Sequence, residues 1–122
     1  MLKSYRDLKV WDKAYEVSLS VYRLTRDFPA TERYGLVNQM RRAAVSVPSN
    51  IAEGYGRGST QEYIRSLRIA FGSNSELETQ VMLSRDLKFL KPAAADELLQ
   101  GISEVELMLK ALMKRLKNRA SR

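Results

Sequence analysis

Apolar residues recur at alternating intervals of four and three along much of this chain, and this spacing constrains the fold more than any other feature. In the first part they stand at Val10, Ala14, Val17, Val21, Leu24 and Phe28. In the last part they stand at Leu98, Ile102, Val105, Leu109, Leu112 and Leu116. A mean interval of about 3.5 residues places these side chains on one face of an α-helix and predicts amphipathic helices packed side by side.

The second helical pattern contains a proline. It runs through Leu36, Met40, Ala43, Val47 and Ile51. Because Pro48 lies inside it, the helix either stops near Val47 or continues with a kink that costs about 3 kcal/mol. The spacing alone leaves both alternatives open.

The third helical pattern begins after Ser59, which with Glu62 has the sequence of a capping box. Its apolar positions are Tyr63, Leu67, Ala70, Leu77 and Val81, followed by Leu83, Leu87 and Leu90. The segment "GSNSE" at residues 72–76 interrupts the pattern, so that one long helix or two short ones are compatible with it. We favour one helix, because small residues let neighbouring helices approach closely.

The fourth helix is predicted to begin at Pro92, since proline is favoured at the first helical position. No alternation typical of β-strands appears. Four helices with short connections predict one all-α domain, residues 1–122, folded as an antiparallel up-down four-helix bundle with a proline in its second helix. The part from about residue 110 to 122 is predicted to be a basic C-terminal tail.

Several polar and aromatic positions carry more local predictions. Asp7 is a plausible N-cap of the first helix. Three aromatic residues are expected to widen the first apolar stripe, namely Trp11, Tyr15 and Tyr22. Three polar residues interrupt core stripes and are expected to form buried hydrogen bonds between helices, namely Asn50, Glu53 and Asn74.

The chain has a net charge of +7 and contains neither histidine nor cysteine. This double absence excludes Ser-His-Asp and Cys-His nucleophiles, the usual zinc sites and the Glu-x-x-His di-iron motif. We therefore expect a protein that is not an enzyme and has no cofactor or metal site; a nuclease acting through Glu53 is the enzymatic alternative. The excess of bases favours polyanionic partners.

Nothing in the sequence predicts a membrane or export signal. No apolar run approaches the ~20 residues that a membrane span requires. The N-terminal residues carry charge throughout and lack the apolar core of a signal peptide. We expect a cytoplasmic protein without membrane contact.

The segment "GYGRGST" at residues 54–60 has the composition of a phosphate-binding loop but not the spacing. The dinucleotide fingerprint requires a preceding strand and a different glycine interval, and the P-loop requires a lysine before its Ser or Thr. We interpret the segment as a corner between two helices. Arg57, beside the free amides after Ser59, is a candidate for contact with a single phosphate.

Clustered bases are the candidate nucleic-acid contacts. Arg41 and Arg42 are placed on the polar side of the second helix, and Arg65 and Arg68 share a face of the third. With Arg57 these are expected to form one basic strip, unless Glu53 and Glu62 neutralise part of it. The predicted set is Arg41, Arg42, Arg57, Arg65, Arg68, Lys110, Lys114, Arg115, Lys117 and Arg119.

Three segments resemble the ribosomal-RNA intervening-sequence proteins, a bacterial family of four-helix bundles: "LKVWDKAYE", "FPATERYGLVNQMRRAAVSVPSNIAEGYGR" and "EYIRSLRIAFGSNSELETQV". The resemblance implies that Pro48 lies inside a continuous second helix and "GSNSE" inside a continuous third one. The family is similar to the accessory proteins of diversity-generating retroelements, which form homopentameric barrels that bind nucleic acid and a reverse transcriptase. A homo-oligomeric barrel, by that analogy a pentamer, is therefore expected here.

These observations predict a non-enzymatic, homo-oligomeric bundle that binds RNA or DNA through backbone phosphates. The alternative is a scaffold that recruits a nucleic-acid-processing protein partner without touching nucleic acid itself. Apolar residues outside the main stripe of the last helix motivate this alternative, namely Leu107, Met108 and Ala111.

Overall fold

The structure is a computed structural model that describes residues 2–120, and four α-helices make up most of it. They are α1 (Lys9–Thr25), α2 (Asn38–Tyr55), α3 (Thr60–Asp86) and α4 (Pro92–Ala120). Short 3-10 turns at Tyr5–Asp7 and Ala30–Glu32 and a π-helical turn at Arg33–Val37 precede α1 and α2. Residues 2–120 contain no β-strand, and none of their helices combines the length and apolarity needed to cross a membrane.

The helices alternate in direction, and the composition of the core shows this. One core cluster joins the end of α1, the beginning of α2, the end of α3 and the beginning of α4, through residues that include Val21, Met40, Val81 and Ile102. The other joins the opposite halves, through residues that include Ala14, Ile51, Leu67 and Leu109. The predicted antiparallel up-down four-helix bundle is confirmed.

The second helix continues through Pro48, which is buried against its neighbours. Proline has no N–H to donate to the carbonyl four residues earlier, here that of Ala44. The hydroxyl of Ser18 on α1 donates to that carbonyl at 2.7 Å. The buried acceptor freed by the proline is thus satisfied from the neighbouring helix, which explains how α2 tolerates Pro48 in the core.

The third helix is continuous through residues 72–76, because small side chains there and on α2 allow close packing. The hydroxyls of Ser46 and Ser73 lie 2.8 Å apart across the α2–α3 contact. Nearer the end of α2, a Cβ added to Gly54 would lie 2.7 Å from the Cβ of Ser66. Asn74, inside the interruption, is buried and donates to the carbonyl of Ile102 at 2.9 Å. Its predicted role as a buried hydrogen-bond donor between helices is confirmed.

Other local predictions are wrong. Asp7 does not cap α1: its carboxylate accepts from the amides of Lys3 and Ser4, and it closes the 3-10 turn that precedes α1. Glu53 is exposed rather than buried. Asn50 donates within α2, to Ser46, rather than between helices.

Four apolar residues assigned to core stripes are on the surface. They are Leu83 on α3, Leu87 directly after α3, and Tyr15 and Tyr22 on α1, and each is at least 41% exposed. Their positions follow the helical spacing only approximately, and four helices suffice to bury just one stripe each. Exposed apolar residues of this kind are available to a partner.

We predict that Ser18→Ala lowers the free energy of unfolding by about 1–3 kcal/mol, because it leaves the buried Ala44 carbonyl without a donor. In a Pro48→Ala background the loss should be smaller, since the amide of the new alanine bonds the same carbonyl. Chemical denaturation of the parent protein, the two single variants and the double variant measures both losses. Equal losses in the two backgrounds would show that Ser18 does not compensate for the proline.

Candidate nucleic-acid interface

Antiparallel packing brings together bases that are far apart in sequence. The first turns of α3 and the last turns of α4 lie at the same end of the bundle, beside the second core cluster. We call this the basic end. It contains eight of the ten predicted contact residues, which are Arg57, Arg65, Arg68, Lys110, Lys114, Arg115, Lys117 and Arg119.

A groove between α3 and α4 lies at the basic end, and we call it the α3–α4 groove. Its lining is Arg68, Phe71, Gly72, Lys110, Met113, Lys114, Lys117 and Asn118. Four of these eight residues are bases and none is an acid. The groove is therefore a positively charged channel with two apolar side chains in it.

The basic rim on α4 follows from the spacing of its lysines. Lys110, Lys114 and Lys117 are four and three residues apart, so they share one face of the helix. Lys110 pairs with Glu106 at 3.3 Å, but its side chain is 58% exposed, and a salt bridge this exposed contributes little and opens readily. The ammonium of Lys110 lies 5.7 Å from the centre of the Phe71 ring.

Arg65 and Arg68 form the α3 side of the basic end. Both are exposed, and Arg65 lies one turn before Arg68 on the same face, so it extends the positive rim toward the beginning of α3. Ser59 caps α3, accepting from the amide of Glu62 at 3.1 Å. This is the Ser59 half of the predicted capping box.

Arg57, at the corner between α2 and α3, forms a salt bridge with Glu53. Glu53 thus neutralises the charge of Arg57, which is the alternative considered from the sequence. The predicted phosphate contact of Arg57 would require this exposed pair to open, which costs little because both side chains are about half exposed.

The last bases divide between two faces of α4. Arg115 lies near Tyr63 rather than in the α3–α4 groove. Burial raises the pKa of Tyr63, with a further contribution from Tyr55, and the positive charge of Arg115 acts in the opposite direction. Arg119 is four residues after Arg115 and shares its face. The predicted basic tail is helical as far as Ala120, and its last two residues lie outside the described part.

The expectation of one basic strip that includes Arg41 and Arg42 is wrong, because both lie in the other half of the bundle. Arg41 donates to the hydroxyl of Thr25 at 3.0 Å and lies 4.5 Å from the centre of the Tyr22 ring. Arg42 lines a separate groove between α2 and α3 that also contains Glu76. Arg41 thus joins α1 to α2, and Arg42 stands beside an acid.

The apolar part of the α3–α4 groove was not predicted. Phe71 and Met113 are half-buried and pack against the second core cluster while they also line the groove. A signal was present in the sequence, since Phe71 stands three residues after Arg68 and therefore shares its face. Only the pairing of α3 with α4 shows that Met113 lies across the groove from Phe71.

A second surface of different chemistry lies between α1 and α2. We call it the aromatic surface, and its lining is Tyr5, Trp11, Tyr15, Ser18, Val45, Pro48, Ser49 and Ala52. Trp11 stacks on Tyr15 with ring centres 5.0 Å apart, and Tyr5 meets the edge of Trp11 at 5.2 Å. Tyr15 is 47% and Val45 41% exposed. This is an apolar surface suited to contact with another protein.

The carboxylates of residues 2–120 form no group of three or more that suits a metal ion. Glu53, the residue considered for a nuclease, pairs with Arg57 at the corner after α2.

An up-down bundle with a basic groove at one end defines this chain as a small helical-bundle protein. The sequence profile of the 23S rRNA-intervening sequence protein family matches residues 6–111, and the chain belongs to this family. The resemblance noted from the sequence is confirmed. The similarity to retroelement accessory proteins and the pentamer that it implies stay predictions.

A solved structure shares the fold. It is a protein of unknown function from the S23 ribosomal protein family of Bacteroides thetaiotaomicron, with a TM-score of 0.80 and 21% sequence identity. The match covers 86% of this chain and 95% of that chain. At this identity the likeness shows the fold alone. A comparison with curated proteins finds no match.

We predict that Arg41→Gln lowers the free energy of unfolding by about 1–2 kcal/mol, because it removes a side-chain hydrogen bond and a cation–π contact. The matched control is Arg42→Gln. It removes the same charge from the next residue, whose side chain is exposed, and should change the free energy of unfolding by less than about 0.5 kcal/mol. Denaturation curves of both variants make the comparison. Equal losses would contradict the joining role of Arg41.

Proposed function

We propose that this chain is a non-enzymatic, homo-oligomeric bundle that binds RNA or DNA through backbone phosphates, with the α3–α4 groove as the principal contact. One observation carries the proposal: Arg68 from α3 and three lysines from α4 line a single groove without an acid. Bases scattered for solubility alone would be interspersed with acids. A phosphate backbone is the polyanion that such a groove fits.

The groove residues differ in their proposed roles from the remaining bases. Arg68, Lys110, Lys114 and Lys117 contact phosphates directly. The bases around the groove widen the positive field and take part when a longer strand crosses the basic end; they are Arg57, Arg65, Arg115 and Arg119. Arg41 and Arg42 contribute only through the net charge of the molecule.

Contacts with phosphates determine how the affinity depends on the sequence of the nucleic acid and on salt. Lysine and arginine contacts with phosphate oxygens carry no base information, so binding through them does not depend on sequence. Each neutralised phosphate releases counterions, so affinity falls as salt rises. A steep salt dependence is thus the signature of the proposed function.

We predict that Arg68→Gln, Lys114→Gln and Lys117→Gln combined weaken binding to RNA and DNA by at least about tenfold near physiological salt. The slope of log affinity against log salt should fall by about 2, because each lost contact with a single strand contributes about 0.7. Fluorescence anisotropy with labelled oligonucleotides across a salt series measures both quantities.

The matched control removes three bases from the opposite end, by Arg26→Gln, Arg33→Gln and Lys91→Gln. All three are exposed, and the net charge changes by the same amount. This control should keep the salt slope of the parent protein. If both triple variants lose the same affinity and slope, the groove is not the contact surface and only overall charge matters.

The oligomeric part of the proposal rests on the aromatic surface. Trp11, Tyr15 and Val45 form a continuous apolar area between α1 and α2, and such areas mark interaction sites in soluble proteins. This surface lies on α1 and α2, whereas the groove lies on α3 and α4. Subunits joined through the aromatic surface leave the α3–α4 groove open to nucleic acid. By the family analogy the assembly is a pentamer.

We predict that Tyr15→Glu combined with Val45→Glu dissociates the oligomer, because two carboxylates would have to be desolvated in the interface. The matched control is Leu107→Glu, a substitution at a side chain 64% exposed on α4. Light scattering coupled to size exclusion gives the solution mass of each. Dissociation by Leu107→Glu alone would place the interface on α4 instead.

The scaffold alternative is favoured by one observation, the exposure of Leu107 and Ala111 on the outer face of α4. Met108, the third residue of that prediction, is half-buried against the core and is less available to a partner. A partner docked there would bring its own nucleic-acid contacts. Absence of binding to any polynucleotide at low salt would favour this function over direct binding.

A further inference from the structure

The α3–α4 groove combines a basic rim with an apolar floor, and phosphate binding uses only the rim. Phe71 and Met113 form the floor. Gly72, beside Phe71, is exposed, and a Cβ added there would meet no atom within 4 Å. The absence of a side chain at this position leaves open space above the floor, next to an aromatic ring.

One cation of the rim lies over the aromatic ring of the floor. The ammonium of Lys110 is 5.7 Å from the centre of the Phe71 ring, and Lys114 and Lys117 continue the rim along α4. From Lys110 to Lys117 the helix rises by about 10 Å, since each residue adds about 1.5 Å. This length corresponds to a short run of nucleotides, whose bases would face the floor.

We infer that the groove takes single-stranded nucleic acid, with phosphates along the lysine rim and a base against Phe71. The inference rests on the proposed function and specifies its ligand. Aromatic side chains beside a cationic track are the usual means of holding single strands without sequence preference, because every base has a flat apolar face.

Duplexes use the same groove less well. Their bases are paired and stacked, and moving one out of the stack to reach a protein side chain is unfavourable. A duplex therefore presents only phosphates to the rim and gains nothing from Phe71. Single strands should bind more tightly than duplexes of the same sequence at equal salt.

An acidic peptide is the other polyanion that matches the rim. The pairing of ring and ammonium favours the nucleotide, because one nucleotide supplies both a flat apolar face and an anion at adjacent positions. Poly-glutamate supplies the charge without the face. It is therefore the control polymer that separates charge from stacking.

The decisive variant is Phe71→Leu, which keeps an apolar side chain in the floor but removes the ring. We expect about five- to tenfold weaker binding to a labelled single-stranded oligonucleotide, since a lost stacking contact has this order of effect. Affinity for the duplex and for poly-glutamate should stay unchanged. The salt slope should also stay unchanged, because no cation is removed.

Three further variants accompany it. Phe71→Tyr keeps the ring and should keep the affinity for single strands. Lys114→Gln should weaken binding to single strand and duplex alike and lower the salt slope. Tyr34→Leu removes an aromatic ring that is 87% exposed in the turn before α2, and it should have no effect. Thermal unfolding followed by circular dichroism checks that each variant is folded.

The results separate this inference from the proposed function. If Phe71→Leu has no effect, or weakens duplex and single strand equally, while Lys114→Gln still weakens both, the role of the floor is overturned and phosphate binding stands. Poly-glutamate bound as tightly as the single strand at equal chain charge would also overturn it. If no polynucleotide binds at low salt, the proposed function itself fails.

Discussion

The burial of four apolar stripes in one antiparallel core is the interaction on which the rest of this structure depends. Each stripe is specified by local spacing, but their joint burial determines which ends of the helices meet. Leu67 of α3 and Leu109 of α4 pack in the same core cluster, so Arg68 and Lys110, one residue along from each, come to line the same groove. The positive groove is thus a consequence of core packing and not of any continuous basic segment.

A second constraint acts where α1 meets α2. Pro48 removes a donor from the middle of α2, and the hydroxyl of Ser18 replaces it at the carbonyl of Ala44. Arg41 adds a bond to Thr25 on the same pair of helices. These contacts hold α1 and α2 in register and keep Trp11, Tyr15 and Val45 together in the aromatic surface. In the proposed function, nucleic acid binds on α3 and α4, and subunits assemble through α1 and α2.

Sequence spacing predicted the helices and the bundle, because the period of the apolar stripes determines which side chains are buried. It misplaced Leu83 and Leu87, since the buried side of α3 continues from Val81 to Ser84, a small polar residue that the apolar pattern passes over. The sequence could not show which of the ten candidate bases share a surface. Whether Arg42 and Arg68 lie on the same surface depends on how α2 packs against α3 and α3 against α4. The floor residue Met113 is visible as a site residue only once α4 is placed beside Phe71.

The position of a bound strand on the bundle is accessible by photocrosslinking the intact protein to an RNA that contains 4-thiouridine, because the crosslinked peptides report where the strand lies. We expect crosslinks in the two segments that form the α3–α4 groove, residues 65–72 and 110–118, and their loss when excess unlabelled strand is added. Crosslinks concentrated on α1 and α2, over the aromatic surface, would contradict it.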